Sequence, residues 1–220
     1  AILRMVADGR ITPEEADLLL ARLDFDPVAF GRTMGLPEVP MDGPTYWRRI
    51  MLEPYANING IVSGYIGPGA KTIIPARAEC RMDFRLVVDQ TTGEIFEKVR
   101  AHVAKVDPRV QVLPRGFGAM EPSRTPPDHP AVAVVAQAIR AVRGREPYVN
   151  LCAGGSLPSA VWPRILGADH ISVPYANADE NNHSPNENLS LERFYDGIHV
   201  SAEVFHALGE AHRAGALRRS

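Results

Sequence analysis

Cysteine is scarce in this chain. Only Cys80 and Cys152 occur among 220 residues. They lie far apart, so neither a disulfide framework nor a cysteine-built metal site can be read from them. Two buried thiols in a reducing, cytoplasmic compartment are the expectation. An excess of charge is missing too. With 24 Lys and Arg against 26 Asp and Glu, the net charge is −2. That leaves no basic face for nucleic acid and no acidic tail. No apolar run approaches the ~20 residues of a membrane helix, so no membrane partner is expected. The opening AILRMVADGR lacks the charged start and long apolar core of a signal peptide. It also lacks an initiator methionine and reads as if cut from a longer chain. There is no internal repeat.

What is present organises into two regions. Thr12 before Pro13, Glu14 and Glu15 is an N-cap signal, and Leu18, Leu19, Leu20 and Leu23 supply an apolar face, so 1–23 reads as a helix. The Glu14–Glu15 pair is accounted for by the helix dipole. A loop follows over 24–45. Residues 46–65 and 71–88 are rich in strand formers and are joined by Gly67-Pro68-Gly69. In the second run Ile74, Ala76, Ala78, Cys80, Met82 and Phe84 alternate with Arg77, Glu79, Arg81, Asp83 and Arg85, which predicts one buried and one wet face. A helix over 92–105 and a strand over 110–113 complete the region. With one strand in front, the order becomes βαββαβ, a ferredoxin-like layer that is here truncated at its start. The proline-rich GAMEPSRTPPDHP (118–130) links it to helix 130–143, strand 147–151, a glycine turn, helix 157–165, strand 168–173 and helix 191–214. Alternating strand and helix predicts a parallel α/β sheet. The boundaries expected are 1–118 and 119–220.

Three pieces carry chemistry. Gly154-Gly155-Ser156-Leu157-Pro158 runs from a strand into a helix, where free backbone N–H groups and the helix dipole make an anion seat. The plainer reading is a tight turn with Ser156 as N-cap. The sequence is not G-x-S-x-G, so a serine-hydrolase elbow is not supported. NADENNHSPNENLS (177–190) gathers His183, three carboxylates and five asparagines after a strand end, where α/β enzymes collect active groups. Asp179, Glu180 and Glu187 could orient the imidazole; a merely solvated histidine is the alternative. The other six histidines show no metal-ligand spacing. Finally, Arg81, Asp83 and Arg85 share one strand face. Arg85 can fork onto a carboxylate there, or the face can be a solvated set of ion pairs.

In this order, NINGIVSGYIGPGAKTIIPARAECRMDFRLVVDQ, GGSLP and NNHSPNENLSLERFYDGI resemble one family over most of 46–205. It is the di-zinc amidohydrolase and peptidase family of aminoacylase, acetylornithine deacetylase, succinyl-diaminopimelate desuccinylase, glutamate carboxypeptidase and carnosinase-type dipeptidases. The resemblance implies a lid (dimerisation) domain followed by the C-terminal part of a catalytic domain, in a homodimer formed through the lid. It implies that His183 is the last zinc ligand, that Gly154, Gly155 and Ser156 seat the substrate carboxylate, and that Thr72 and Arg85 grip the substrate. The implied reaction is hydrolysis of the amide bond of a small peptide or N-acyl amino acid with a free carboxylate. The long GPGAKTIIP segment leans toward dipeptidases and carboxypeptidases. The family's His-x-Asp motif, bridging aspartate and Glu-Glu pair have no counterpart in this sequence. One imidazole cannot hold two zinc ions, so no residue of this chain is assigned as catalytic and the chain alone is expected to be inert. The rivals are a stand-alone dimerisation or binding module without catalysis, and a zinc-free serine amidase using Ser156, His183 and Asp179.

Overall fold

The computed structural model describes residues 20–21, 23–114, 119–177 and 179–217. The helix expected over 1–23 lies almost wholly outside them. The chain divides into two compact units: Ala1–Ser123 with Cys152–Val161, and Arg124–Leu151 with Trp162–Ser220.

In the first unit, α1 spans Pro27–Thr33 and α2 spans Gly43–Leu52. Each begins with an aspartate cap and a proline in the first turn. Asp26 Oδ1 accepts from the Val28 and Ala29 N–H groups, both at 2.9 Å, and Asp42 Oδ1 accepts from Thr45 N–H at 2.7 Å. The Thr45 backbone bond holds the Asp42 carboxyl below its ordinary range. α2 replaces the strand expected from residue 46. Tyr46, Trp47 and Ile50 favour strands by type, but the Asp42 cap fixes a helix that places Met51 and Leu52 in the interior. Phe25 stacks on Tyr46 at 4.2 Å between ring centres, and Trp47 meets Tyr46 edge-on at 5.1 Å.

β1 (Tyr55–Ser63) and β2 (Ala78–Arg85) pair antiparallel. The register joins Tyr55 to Arg85, Asn57 to Asp83 and Ile58 to Met82, then Gly60 to Arg81, with an irregularity between Ile58 and Gly60. Asn59 is therefore the extra residue of a β-bulge. The alternation expected for β2 is present, but its apolar face is not buried: Ile58, Ile61, Met82 and Phe84 are all exposed. A two-stranded ribbon has no layer of its own to close that face. The connection 64–77 bends at Gly64 and Gly69, both at positive φ. Tyr65 O–H donates to Pro68 O at 2.9 Å across it.

α3 spans Thr92–Val106 and is capped by Thr91, whose Oγ1 accepts from Glu94 N–H at 3.2 Å and donates to Glu94 Oε2 at 2.9 Å. The strand expected over 110–113 joins no ladder among the described residues; Val110 N–H instead turns back to Asp107 O at 3.1 Å. The two-stranded ribbon and α3 follow one another in the chain order expected for this stretch.

In the second unit, α4 (Pro130–Arg143) packs on α5 (Leu191–Arg213). Val135, Ile139 and Val200 are buried, with Ile171, Val173, Tyr175, Val204 and Leu208 around them. Arg143 Nε and Nη2 both reach Asp196 Oδ2, at 3.0 and 2.6 Å, tying the two helices together. Gly197 is required where it stands, because a Cβ there would lie 2.9 Å from the Tyr175 ring. The segments 147–151 and 168–173, expected as strands, are in no ladder among the described residues. Ile171 and Val173 nevertheless face the helix pair, so their apolar spacing reads correctly while the hydrogen-bonded neighbours of a sheet are not supplied here. No helix of the described residues is long and apolar enough to cross a membrane.

Candidate functional site

Two polar constellations stand out, one in each unit. In the first unit, the last residue of β2 meets the glycine turn. Arg85 Nη1 donates to Ser156 Oγ at 2.5 Å, across 71 positions of sequence. Arg85 Nε also pairs with Asp83 Oδ2 at 3.5 Å, and Asp83 Oδ1 accepts from Asn57 Nδ2 at 3.4 Å. Asn57 in turn donates to Asn59 Oδ1 at 2.7 Å. One polar line thus runs along a ribbon face from the bulge to the glycine turn. Farther along the same face, Glu79 pairs with Arg77 at 3.0 Å and Arg81 at 2.7 Å. The reading of this face as ion pairs along the strand is present, and Arg85 at its end is engaged by Asp83 and Ser156.

Arg85 and Ser156 border a small pocket of about 40 Å³ that also touches Ile50, Tyr55, Cys152 and Gly155. That is room for roughly a carboxylate or two or three waters, not a whole dipeptide. The Arg85 side chain is 40% exposed, so its remaining N–H groups reach solvent. Ser156 accepts from Arg85, which leaves its own proton to donate. The two glycines differ. A Cβ on Gly154 would lie 2.6 Å from Ile50 Cγ2, so α2 dictates that glycine; a Cβ on Gly155 would meet nothing within 4 Å.

No helix dipole stands behind the glycine turn. Ser156 caps no helix: in place of the α-helix expected over 157–165 there is a single π-type turn, Trp162–Leu166. Pro163 lies inside the expected helix, removes an N–H and clashes with the preceding turn. The positive charge therefore comes from Arg85 and not from a helix dipole. Thr72 lies exposed in the 64–77 connection and does not line the pocket. The thiols also differ from expectation: Cys80 is exposed and Cys152 half-buried, and neither is in a disulfide. Cys80 points outward because its strand face is uncovered.

In the second unit, the loop around His183 is closed by amide side chains. Asn177 Oδ1 accepts from Ser190 N–H at 2.9 Å, while Asn177 Nδ2 donates to Asp179 Oδ1 at 2.7 Å and to Asn188 Oδ1 at 3.0 Å. Asn188 Nδ2 donates to Asp179 O and Asn186 O, both at 3.1 Å, and Asn188 N–H donates to Glu180 O at 2.9 Å. The Asn177 bond is the main reason the Asp179 carboxyl is held below its ordinary range. His183 itself is exposed and adopts φ +60°, with Asn181 at +53° and Asn186 at +64°. Sequence reasoning singled out the histidine and its acidic neighbours; the residues that shape the loop are Asn177 and Asn188. Their signal was the asparagine count, since asparagine tolerates positive φ and bridges backbone groups.

Comparison with known proteins decides the family. Residues 61–207 match the profile of Peptidase family M20/M25/M40. This chain is an M20-family member. Residues 1–27 separately match a SHOCT-like domain. The M20 chain is 30% identical over 161 residues to the Cys-Gly metallodipeptidase of Schizosaccharomyces pombe, covering 70% of this chain and 33% of that protein. To the Beta-Ala-His dipeptidase of Homo sapiens it is 26% identical over 168 residues, covering 72% and 32%. It spans about a third of the length of these curated relatives. Among solved structures, the M20 family metallo-carboxypeptidase Sso-CP2 from Sulfolobus solfataricus superposes with TM-score 0.78 at 28% identity, covering 91% of this chain and 46% of that one. Human carnosine dipeptidase 1 shares the fold with TM-score 0.72 at 21% identity, covering 91% and 43%. The M20 chain therefore has the mixed α/β architecture of these peptidases.

A two-zinc centre can be tested against the side chains of the M20 chain. Among the described residues no group of three or more His, Cys, Asp or Glu stands together so as to hold a metal ion. His183 offers one imidazole on an exposed loop. The described donor set does not fit two zinc ions by itself, because each needs three or four ligands.

Proposed function

We propose that this M20 chain is the lid and C-terminal catalytic-domain portion of a zinc-dependent metallopeptidase or amidohydrolase. Its substrates are dipeptides, C-terminal peptides or N-acyl amino acids that carry a free carboxylate. Residues 1–118 make the lid, of ferredoxin-like order and the site of homodimerisation, and 119–220 belong to the catalytic domain; the antiparallel ribbon followed by α3 supports the lid reading. Arg85 and Ser156 hold the substrate carboxylate, Gly154 and Gly155 shape the turn, Thr72 grips from the 64–77 connection, and His183 serves as one zinc ligand. Because the described donors do not fit a metal pair alone, the chain by itself does not hydrolyse its substrate. Two thiols outside disulfides support the cytoplasm as its compartment.

The observation that carries this reading is the Arg85–Ser156 contact. A guanidinium with spare donors beside a hydroxyl with a spare proton is a carboxylate receptor. Held there by its terminal carboxylate, a peptide has its last amide bond at a fixed reach, which is the positioning contribution to catalysis. Isotope-labelled chain titrated with N-acetylglycine should show shifts at Arg85 Nε–Hε and Ser156, and titration with N-acetylglycinamide should not. Equal responses to both ligands would rule out the seat. Calorimetric titration with zinc separates the metal question: tight stoichiometric uptake by this chain would contradict the incomplete donor set.

A further inference from the structure

The His183 loop is built more tightly than its polar composition suggests. Three non-glycine residues, Asn181, His183 and Asn186, hold positive φ within six positions. Such backbone persists only where the surroundings over-determine it. Here the surroundings are two amide side chains. Asn177 reaches from the loop entrance to the first residue before α5, Ser190, and Asn188 gathers the carbonyls of Asp179 and Asn186. Between them the main chain closes on itself through Asn188 N–H to Glu180 O and Ser184 N–H to Asn181 O, both 2.9 Å. None of these bonds involves the imidazole, which stays exposed at the crest.

We propose that Asn177 and Asn188 are positioning residues that impose the left-handed backbone of His183 and so present its imidazole in a preset direction. The ordering of the loop is then completed during folding, and a ligand that captures His183 meets a side chain whose backbone is already fixed. The inference rests on His183 being the working group of the loop, but its test needs neither metal nor substrate.

The test is a double-mutant cycle on the full chain, read by thermal unfolding and by NMR. His183→Gly removes the side-chain cost of positive φ and should raise Tm by about 2–4 °C in the otherwise unchanged chain. In the Asn188→Ala background, where the backbone is released, the same change should raise Tm by less than half as much. Equal increments in the two backgrounds would overturn the proposal. The paired Cα and Cβ shifts of His183 should move toward coil values in Asn188→Ala while the α5 signals from Arg193 to Leu208 stay in place; loss of both would mean a general structural role and would also overturn it. Asn177→Asp keeps the oxygen that accepts from Ser190 N–H and loses the two amide donations. It should preserve Ser190 exchange protection yet lose the His183 signature. Zinc content of the complete peptidase with and without His183→Ala tests the ligand role separately, so failure of that role and failure of the positioning role give different results.

Discussion

The Arg85–Ser156 cluster and the His183 loop are built on opposite principles. The cluster is assembled from far apart in sequence, by a guanidinium that reaches a hydroxyl 71 positions away while pairing with the carboxylate of Asp83. The loop is assembled locally, by short amides that bond backbone groups, and its single histidine takes no part in the bracing. A contact made by a guanidinium on a ribbon end depends on β2 register, on the bulge and on α2. A loop laced by Asn177 and Asn188 depends on little outside 177–190. The first can therefore adjust its grip and respond to salt, whereas the second either keeps its shape or loses it.

The largest effect should come from removing the charge. Arg85→Ala should weaken carboxylate binding by about 1.5–3 kcal/mol, roughly ten- to a hundredfold, with little change for carboxylate-free analogues, as measured by NMR titration. Arg85→Lys should recover only part, since an ammonium does not fork. If carboxylate-free ligands suffered equally, the seat would be no seat. Next comes the turn that holds Ser156. Gly154→Ala forces a Cβ into Ile50 and should cost about 1–3 kcal/mol in thermal unfolding, whereas Gly155→Ala should be close to neutral for stability. Similar losses at both glycines would mean that α2 does not set the turn.

Salt should separate the two constellations more gently. Raising ionic strength from about 0.1 to about 1 M shortens the screening length from roughly 10 to 3 Å. Carboxylate affinity at Arg85 should fall several-fold, while amide exchange at Ser184, Asn188 and Ser190 should not change. The smallest effect is acid. The Asp179 carboxyl is depressed, chiefly by the Asn177 amide, so its contribution is complete above the ordinary carboxylate pKa and is lost as pH falls through the depressed value. Protection of the Asn177 side-chain amide protons, which donate to Asp179, should be flat from about pH 8 to pH 5 and drop only in stronger acid. A drop near neutrality would assign the bracing to another group.

Much of this was legible from residue order, and the failures have physical causes. α3, α4 and α5 follow the expected bounds closely because their caps and apolar stripes are local signals. Arg85 and Ser156 were chosen from their motifs, and the fold brings them together. The misread segments are those whose state depends on something not adjacent in sequence. The segments at 110–113, 147–151 and 168–173 need strand neighbours, and an apolar ribbon face needs a covering layer. Two errors were avoidable. Asp42 with Pro44 announced a helix where Tyr46 and Trp47 suggested a strand, and Pro163 forbade the helix drawn through it. Asp83 was placed on the face of Arg85 by strand alternation, whereas Asn57, which leads to it from the bulge, had no signature, because a strand asparagine looks like any solvated polar residue.

The bulge at Asn59 has a bearing on evolution and engineering. Ile58 and Ile61 are three positions apart, an odd spacing that in a regular strand would put them on opposite sides; the additional residue brings both to the side of Met82 and Phe84. Removing Asn59 would leave a regular strand with the same pairs, Ile58 to Met82 and Ile61 to Cys80, and both faces intact; pairing Asn59 itself with Arg81 would instead transpose every later side chain of β1, placing Gly60 and Val62 among the apolar residues and Ile61 among the charges. A one-residue gap at 59 should therefore be tolerated among homologues that retain the arginine at the end of the opposite strand, and loop grafts into this ribbon are better made in 64–77.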